Sequence, residues 1–333
     1  MARDFFNHLP EGPREAAHAA LRHALGSVPI DDVAPVSGGA TAASIFRVDA
    51  GGRPYLLRIE GPASPLRNPH QYLSMRIAAE AGIAPRLYHA DEASRVAVTD
   101  FIVRRPLEAH PGGPAALAQA LGGLLARLQG APLFPHFVEY PDIVARLWAH
   151  VCRTGLFAAG VLDRCTERLA HISEAYRRHA PPPVSSHNDS IPANILFDGE
   201  RLWLVDWESA YRNDPLVDIA IVADNLARTG QLESVLLRAW LGHQPDAALL
   251  ARLALVRALT RLYYAGVLLS ASATFPRAAP DTDLDAPTSA ELQAAVGTGH
   301  LKPGAPETRH ALGKMFVASF LKGVETPGFS TAV

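Results

Sequence analysis

Two cysteines in 333 residues, Cys152 and Cys165, cannot build a disulfide framework, and neither has metal-ligand spacing. The chain holds no run of lysine or arginine, and its formal net charge is -2, so nothing announces a nucleic-acid-binding surface. No uninterrupted apolar run reaches membrane-spanning length. The N-terminal MARDFFNHLPEGPRE lacks an apolar signal core. Nor does Gly-Lys-Ser/Thr follow Ser37-Gly38-Gly39, which excludes a Walker loop. What remains is 48% hydrophobic and 19% charged, the composition of a globular chain long enough for two cores. A cytoplasmic enzyme, with no nucleic-acid or membrane partner, fits these bounds.

The chain is organised around Ser185 to Ala220, SSHNDSIPANILFDGERLWLVDWESAYRNDPLVDIA. Asp189 follows His187 in a loop that Pro192 restricts and Asn194 closes. Ile195–Phe197 and Leu202–Val205 read as two short strands joined at Asp198-Gly199, with Asp206 at the end of the second. Magnesium keeps several waters and needs few protein oxygens, so one amide and one carboxylate beside substrate phosphates suffice. Folding the hairpin back brings Asn194 and Asp206 to one metal, and leaves Asp189 for the hydroxyl that receives the phosphate.

These residues resemble the kinase-like phosphotransferases that act on small molecules, the aminoglycoside phosphotransferases and choline/ethanolamine kinases, and among them the choline/ethanolamine kinase branch. His187-Asn188-Asp189, Pro192 with Asn194, Asp206-Trp207-Glu208, and Asn213-Asp214-Pro215 with Asp218 carry the resemblance. It implies an α+β, two-lobed protein-kinase-like fold. A small nucleotide-binding lobe on an antiparallel sheet would span residues 1–103, and a larger, mainly helical catalytic and substrate-binding lobe 104–333. It also implies ATP and Mg2+ as cofactors and in-line transfer of the γ-phosphoryl group to a small alcohol. Asp189 would orient the hydroxyl and accept its proton; Asn194 and Asp206 would hold the metal. Arg58 and the loop with Ser37, Gly38, Gly39 and Thr41 would position the triphosphate. His187 is expected to brace its loop and Asp218 to hold the catalytic loop's backbone.

Taken in order, Pro13–Leu25 is predicted to be a helix stopped by Gly26. Three strand-like runs fill Val33 to Gly61, with a tight turn at Gly51-Gly52. Arg58, on the third, stands where most kinases carry a lysine paired with a glutamate on the next helix. The corresponding position of that helix, roughly Pro69–Ala81, holds Gln71, and the nearest acid is Glu80. Arg58 is thus expected to be unpaired, or held through Gln71 or water. Pro85–Ala90 and Arg95–Phe101 read as a second hairpin. It leads to Asp100-Phe101-Ile102, the hinge by order, whose Asp100 and Ile102 backbone would meet adenine. Helices follow at Pro114 onward, Tyr140–Cys152, Leu162–Arg178, Ile219–Arg228, Leu232–Leu241, Ala247–Ser270 and Glu307–Lys322. Phe275–Pro287, with Asp281, Asp283 and Asp285, is expected to be a solvated loop.

No room for an activation segment lies between Asp206 and Asp218, and Asp-Phe-Gly and Ala-Pro-Glu are missing, so the expected acceptor is a small molecule. Glu208, Tyr211, Tyr263 and Tyr264 are its candidate contacts, forming a partial cage for a cationic amino alcohol. They equally suit core aromatics, and Trp207 is expected in the core. Ser209 replaces a tyrosine common after Asp-x-Glu, and no tryptophan lies near Tyr263. A choline- or ethanolamine-like acceptor is favoured. The alternatives are an aminoglycoside, another antibiotic or a thiamine precursor, and, last, a non-catalytic nucleotide-binding module.

Overall fold

Alternate burial along Ser44–Ala50 (β2) and Arg53–Ile59 (β3) marks them as strands with one face in a core. The computed structural model describes all residues except 1–5, 7, 8, 37–42, 62–67, 276, 278, 327, 328 and 330–333. The loop residues Ser37, Gly38, Gly39 and Thr41 therefore lie outside the described residues. Ahead of β2 come Glu11–Leu25 (α1) and Ile30–Pro35 (β1); after β3 come Gln71–Glu80 (α2), Leu87–Asp91 (β4) and Val96–Asp100 (β5). The five strands form one sheet in the order β1-β2-β3-β5-β4, antiparallel throughout. Gly51 and Gly52, at φ 57° and 74°, make the tight β2–β3 turn that only glycine-like residues enter without strain. Helix α1 buries Ala17, Ala20, Leu21 and Leu25 against Phe46, Val48, Leu57 and Val98 of the sheet.

The later elements are Gly113–Gln129 (α3), Tyr140–Arg153 (α4), Asp163–Arg178 (α5), Val184–Ser186 (β6), Ile195–Phe197 (β7), Leu202–Leu204 (β8) and Tyr211–Asn213 (β9). Five helices complete the chain: Leu216–Leu226 (α6), Gly230–Leu241 (α7), Ala247–Ser272 (α8), Ser289–Gly297 (α9) and Pro306–Val324 (α10). Strands β7 and β8 pair as the expected hairpin, Ile195 opposite Leu204. Helix α9 lay outside the expected set because it buries nothing and so has no apolar stripe. Its signal was chemical: Thr288 and Glu291 form a reciprocal capping box.

The chain forms two compact units. One comprises Met1–Phe137, Val184–Arg212 and Val222–His243; the other Val138–Pro183, Asn213–Ile221 and Gln244–Val333. In the first, α3 packs on α7. In the second, α8 lies between α4 and α10, and Tyr140, Tyr263, Tyr264 and Phe316 run ring to ring at 5.8, 5.5 and 5.5 Å. Helix α8 is the one described helix long and apolar enough to cross a membrane; the packing of α4 and α10 against its apolar residues accounts for that composition. The expectation of a solvated aspartate loop needs correction at Asp281. His310 Nε2 lies 2.7 Å from its carboxylate and Lys314 Nζ 3.1 Å, so this acid pins the loop to α10.

Candidate active site

The site in the first unit begins with a backbone that only certain residues accept. Asn188 and Asp206 both have positive φ, 62° and 67°, a region that asparagine and aspartate enter more readily than bulkier side chains. Asn188 is buried and uses its amide as a clamp. Its Nδ2 donates to the carbonyls of Ser209 and Tyr211, 2.9 and 3.1 Å away, and its Oδ1 accepts from Ser186 Oγ. The turn after Asn188 carries Asp189 to a partly exposed position beside a short 3-10 turn, Pro192–Asn194.

Asn194 ties that loop to the hairpin. Its side-chain Nδ2 donates to the Asp189 carbonyl and to Asp189 Oδ2, both at 2.9 Å. Its backbone carbonyl accepts from the Val205 N–H at 3.0 Å. The Val205 carbonyl in turn accepts from His187 Nε2 at 2.9 Å. Val205 is therefore held from both sides by the His-Asn-Asp loop, and the next residue is Asp206. His187 is fully buried, its ring 4.8 Å from that of Trp207, so it braces the loop as expected. Trp207 is itself buried, edge-on to Phe134 at 6.1 Å, in the core.

Arg58 reaches this constellation from β3, and the expectation that it is unpaired is wrong. Its Nε donates to Glu60 Oε1 at 2.5 Å, its Nη2 to Asp206 Oδ1 at 2.8 Å, and Glu208 Oε2 lies 3.6 Å from the same nitrogen. Burial opposes the charge of the 12%-exposed guanidinium, but Asp206 and Glu60, with Glu208, outweigh it and hold the pKa above its ordinary value. Glu60 was missed in the sequence. Its signal was the strand period of two, which sets Arg58 and Glu60 on one face. Gln71 starts α2 with no acid in the first turn. That helix is anchored without charge: Ser74 Oγ and, from the preceding loop, Asn68 Nδ2 both donate to the carbonyl of Ala210.

The remaining candidates fall as follows. Asp100 accepts from Tyr88 and Arg53 through its side chain, while its N–H and that of Phe101 donate to Arg86 and Pro54. Ile102, past the end of β5, makes no hydrogen bond among the described residues. Tyr211 is buried, edge-on to Phe137. Tyr263 and Tyr264 belong to the second unit and are half-buried.

The donor set suits magnesium. With both Asn194 amide hydrogens engaged on Asp189, its Oδ1 has no partner among the described residues; nor has Asp206 Oδ2. One neutral and one anionic hard oxygen, on residues linked through the backbone of Val205, fit an ion that keeps most of its ligands as water and phosphate. No group of three or more His, Cys, Asp or Glu side chains able to hold a metal occurs among the described residues.

Comparison with known proteins bears on this geometry. Residues 32–256 match the model of the phosphotransferase enzyme family. Protein LicA of Haemophilus influenzae is 47% identical over 38 residues, 11% of this chain and 14% of that protein, so the match spans a small part of the relative. Among solved structures, the chain is similar to a choline/ethanolamine kinase family protein from Mesorhizobium loti. The TM-score is 0.67 at 24% identity, covering 95% of this chain and 96% of that one. It is also similar to the choline kinase LicA from Streptococcus pneumoniae, with TM-score 0.65 at 14% identity over 92% and 98%. The fold is kinase-like: a five-stranded antiparallel sheet followed by a mainly helical remainder.

Proposed function

Since the chain belongs to the phosphotransferase enzyme family, whose chemistry is phosphoryl transfer to a hydroxyl acceptor, we propose that it is an ATP-dependent kinase of a small amino alcohol of the choline/ethanolamine kind. The observation that carries the reading is a pair of oxygens, Asn194 Oδ1 and Asp206 Oδ2, that have no partner among the described residues, with the Arg58 cation on the other oxygen of Asp206. On this reading residues 1–103 receive the nucleotide and 104–333 the acceptor, in the cytoplasm, where ATP is abundant.

Asn194 and Asp206 would hold Mg2+, and the chemistry the ion supplies when bound is neutralisation of charge on the phosphate oxygens. Arg58 places a fixed cation beside the same carboxylate, where it opposes the charge that develops as the γ-phosphoryl group transfers. Asp189, held by Asn194, orients the acceptor hydroxyl and takes its proton late in the reaction. Glu208 is partly exposed and offers an anion to a single ammonium group. Cation–π attraction is worth only about 0.5–2 kcal/mol, so weak binding of the acceptor, and with it a raised KM, is expected.

A panel of alcohols, scored by acceptor-dependent ADP release from Mg-ATP, tests this. Turnover of a mono-amino alcohol is the expected result. Efficient phosphorylation of kanamycin-like polycations with none on simple amino alcohols overturns the acceptor assignment.

A further inference from the structure

Kinases hold the phosphate-binding cation of the third strand with an acid from the following helix. Here α2 offers Gln71 at its start, and its nearest acid, Glu80, stands at its far end. The acid comes instead from the strand's own continuation. Glu60 follows β3 directly, and its backbone N–H donates to the Arg95 carbonyl at 2.9 Å, so its position is set by the sheet. Its side chain is only 4% exposed and meets Arg58 Nε at 2.5 Å. We propose that Glu60 is the positioning residue for Arg58, replacing a helix-borne glutamate, and that it aims the guanidinium at the nucleotide phosphates.

The geometry of the fork supports this. A guanidinium gripped at Nε cannot rotate about its last bonds without losing that contact, so Nη1 and Nη2 keep one direction. Nη2 is spent on Asp206, and Nη1 takes no partner among the described residues. Without Glu60, the attraction of Asp206 and Glu208 alone would draw the group down onto the carboxylates and away from phosphate. An acid fixed on the strand also frees α2 from any charge contact with the cation. Its anchors, Asn68 and Ser74 on the Ala210 carbonyl, are neutral.

The proposal rests on the nucleotide-binding reading above, and its test separates the two. Calorimetric titration of the full chain with Mg-ATP and with adenosine is made on wild type, Glu60→Gln, Arg58→Gln and the double variant. Glu60→Gln is expected to weaken Mg-ATP by about tenfold or more, the scale of a lost charge-assisted hydrogen bond. Adenosine affinity is expected to stay within about twofold, and in the Arg58→Gln background the change at Glu60 to add almost nothing. Wild type that binds no nucleotide defeats the kinase reading itself. Wild type that binds, with Glu60→Gln equal to it or with an undiminished effect when Arg58 is gone, overturns the positioning role alone. If Glu60→Gln does not fold, Glu60→Asp decides. It keeps the charge but withdraws it by one methylene; weakened Mg-ATP with unchanged adenosine supports the proposal, and wild-type Mg-ATP affinity overturns it.

Discussion

Asp189 and Asp206 are both carboxylates joined to Asn194, one directly and one through Val205, yet their surroundings give them different work. Asp206 faces a guanidinium, and its Oδ2 has no partner among the described residues; Asp189 accepts from a neutral amide. Substituting them is therefore expected to separate chemistry from binding. Asp189→Asn leaves Mg-ATP affinity within a few-fold but lowers kcat by about a hundred-fold or more, the usual scale of a lost proton acceptor. Asp206→Ala instead removes the anionic metal donor, so magnesium no longer strengthens ATP binding. Titrations with and without magnesium, beside single-turnover rates, check both. Retention of more than about a tenth of the activity in Asp189→Asn would remove it from the proton-acceptor role.

Helices α3 and α7 show how an element depends on one missing side chain. A Cβ at Gly122 would sit 2.5 Å from the Leu236 carbonyl oxygen and 2.9 Å from the Trp240 nitrogen, both backbone atoms that cannot step aside. At Gly123, the next residue of the same helix, the nearest atom is the flexible end of Arg127 at 3.9 Å. Gly122→Ala is expected to destabilise by about 1–3 kcal/mol through overpacking. Gly123→Ala is expected to stabilise by about 0.5–1 kcal/mol, because alanine is the better helix former. Paired denaturant melts measure the contrast, and equal midpoints for the two would refute it. Both glycines lie in one apolar helical pattern, and only the α7 backbone tells them apart.

Two partly or fully buried histidines give the whole molecule a pH dependence. Burial pushes His310 below its ordinary pKa, with Arg277 and Lys314 acting in the same direction and Asp281 against them. His89 is lowered by burial and by the neighbouring His23, whose ring lies 4.9 Å away. Because the folded chain holds these histidines more weakly protonated, the unfolded chain takes up protons first as pH falls. Stability is full above about pH 6.5, drops as pH falls toward the lowered folded pKa values, and levels off beneath them. Melting temperature is expected to decline from about pH 7.5 to 5. His310→Gln, whose amide can still donate to Asp281, is expected to flatten part of that decline; an unaltered slope would show that His310 does not contribute. At lower pH Asp281 adds its own loss. Burial raises its pKa, but hydrogen bonds from His310 and Lys314 outweigh that and hold it below the usual carboxylate range.

What the sequence determined by itself was local. Apolar strand-like runs broken by turn residues name β2, β3 and the β7–β8 hairpin, helical patterns name nearly every helix, and the spacing of His187, Asp189, Asn194 and Asp206 marks the stretch that holds the candidate site. These signals arise from backbone preferences and side-chain periodicities that act within a few residues. The tertiary structure decided the partners. Arg58 meets Asp206 across 148 positions, His310 meets Asp281 across 29, and Gly122 lies against a helix more than a hundred residues on. Glu60 lies two residues from Arg58, yet spacing alone does not single it out. Period two put both on one strand face, but only the bond from its N–H to Arg95 and the burial of its carboxylate made it the cation's partner rather than Gln71. A chain's spacing limits which contacts are possible. Which of them form depends on the free energy of burying a charge against a particular counter-ion, and that exists only once the sheet has closed.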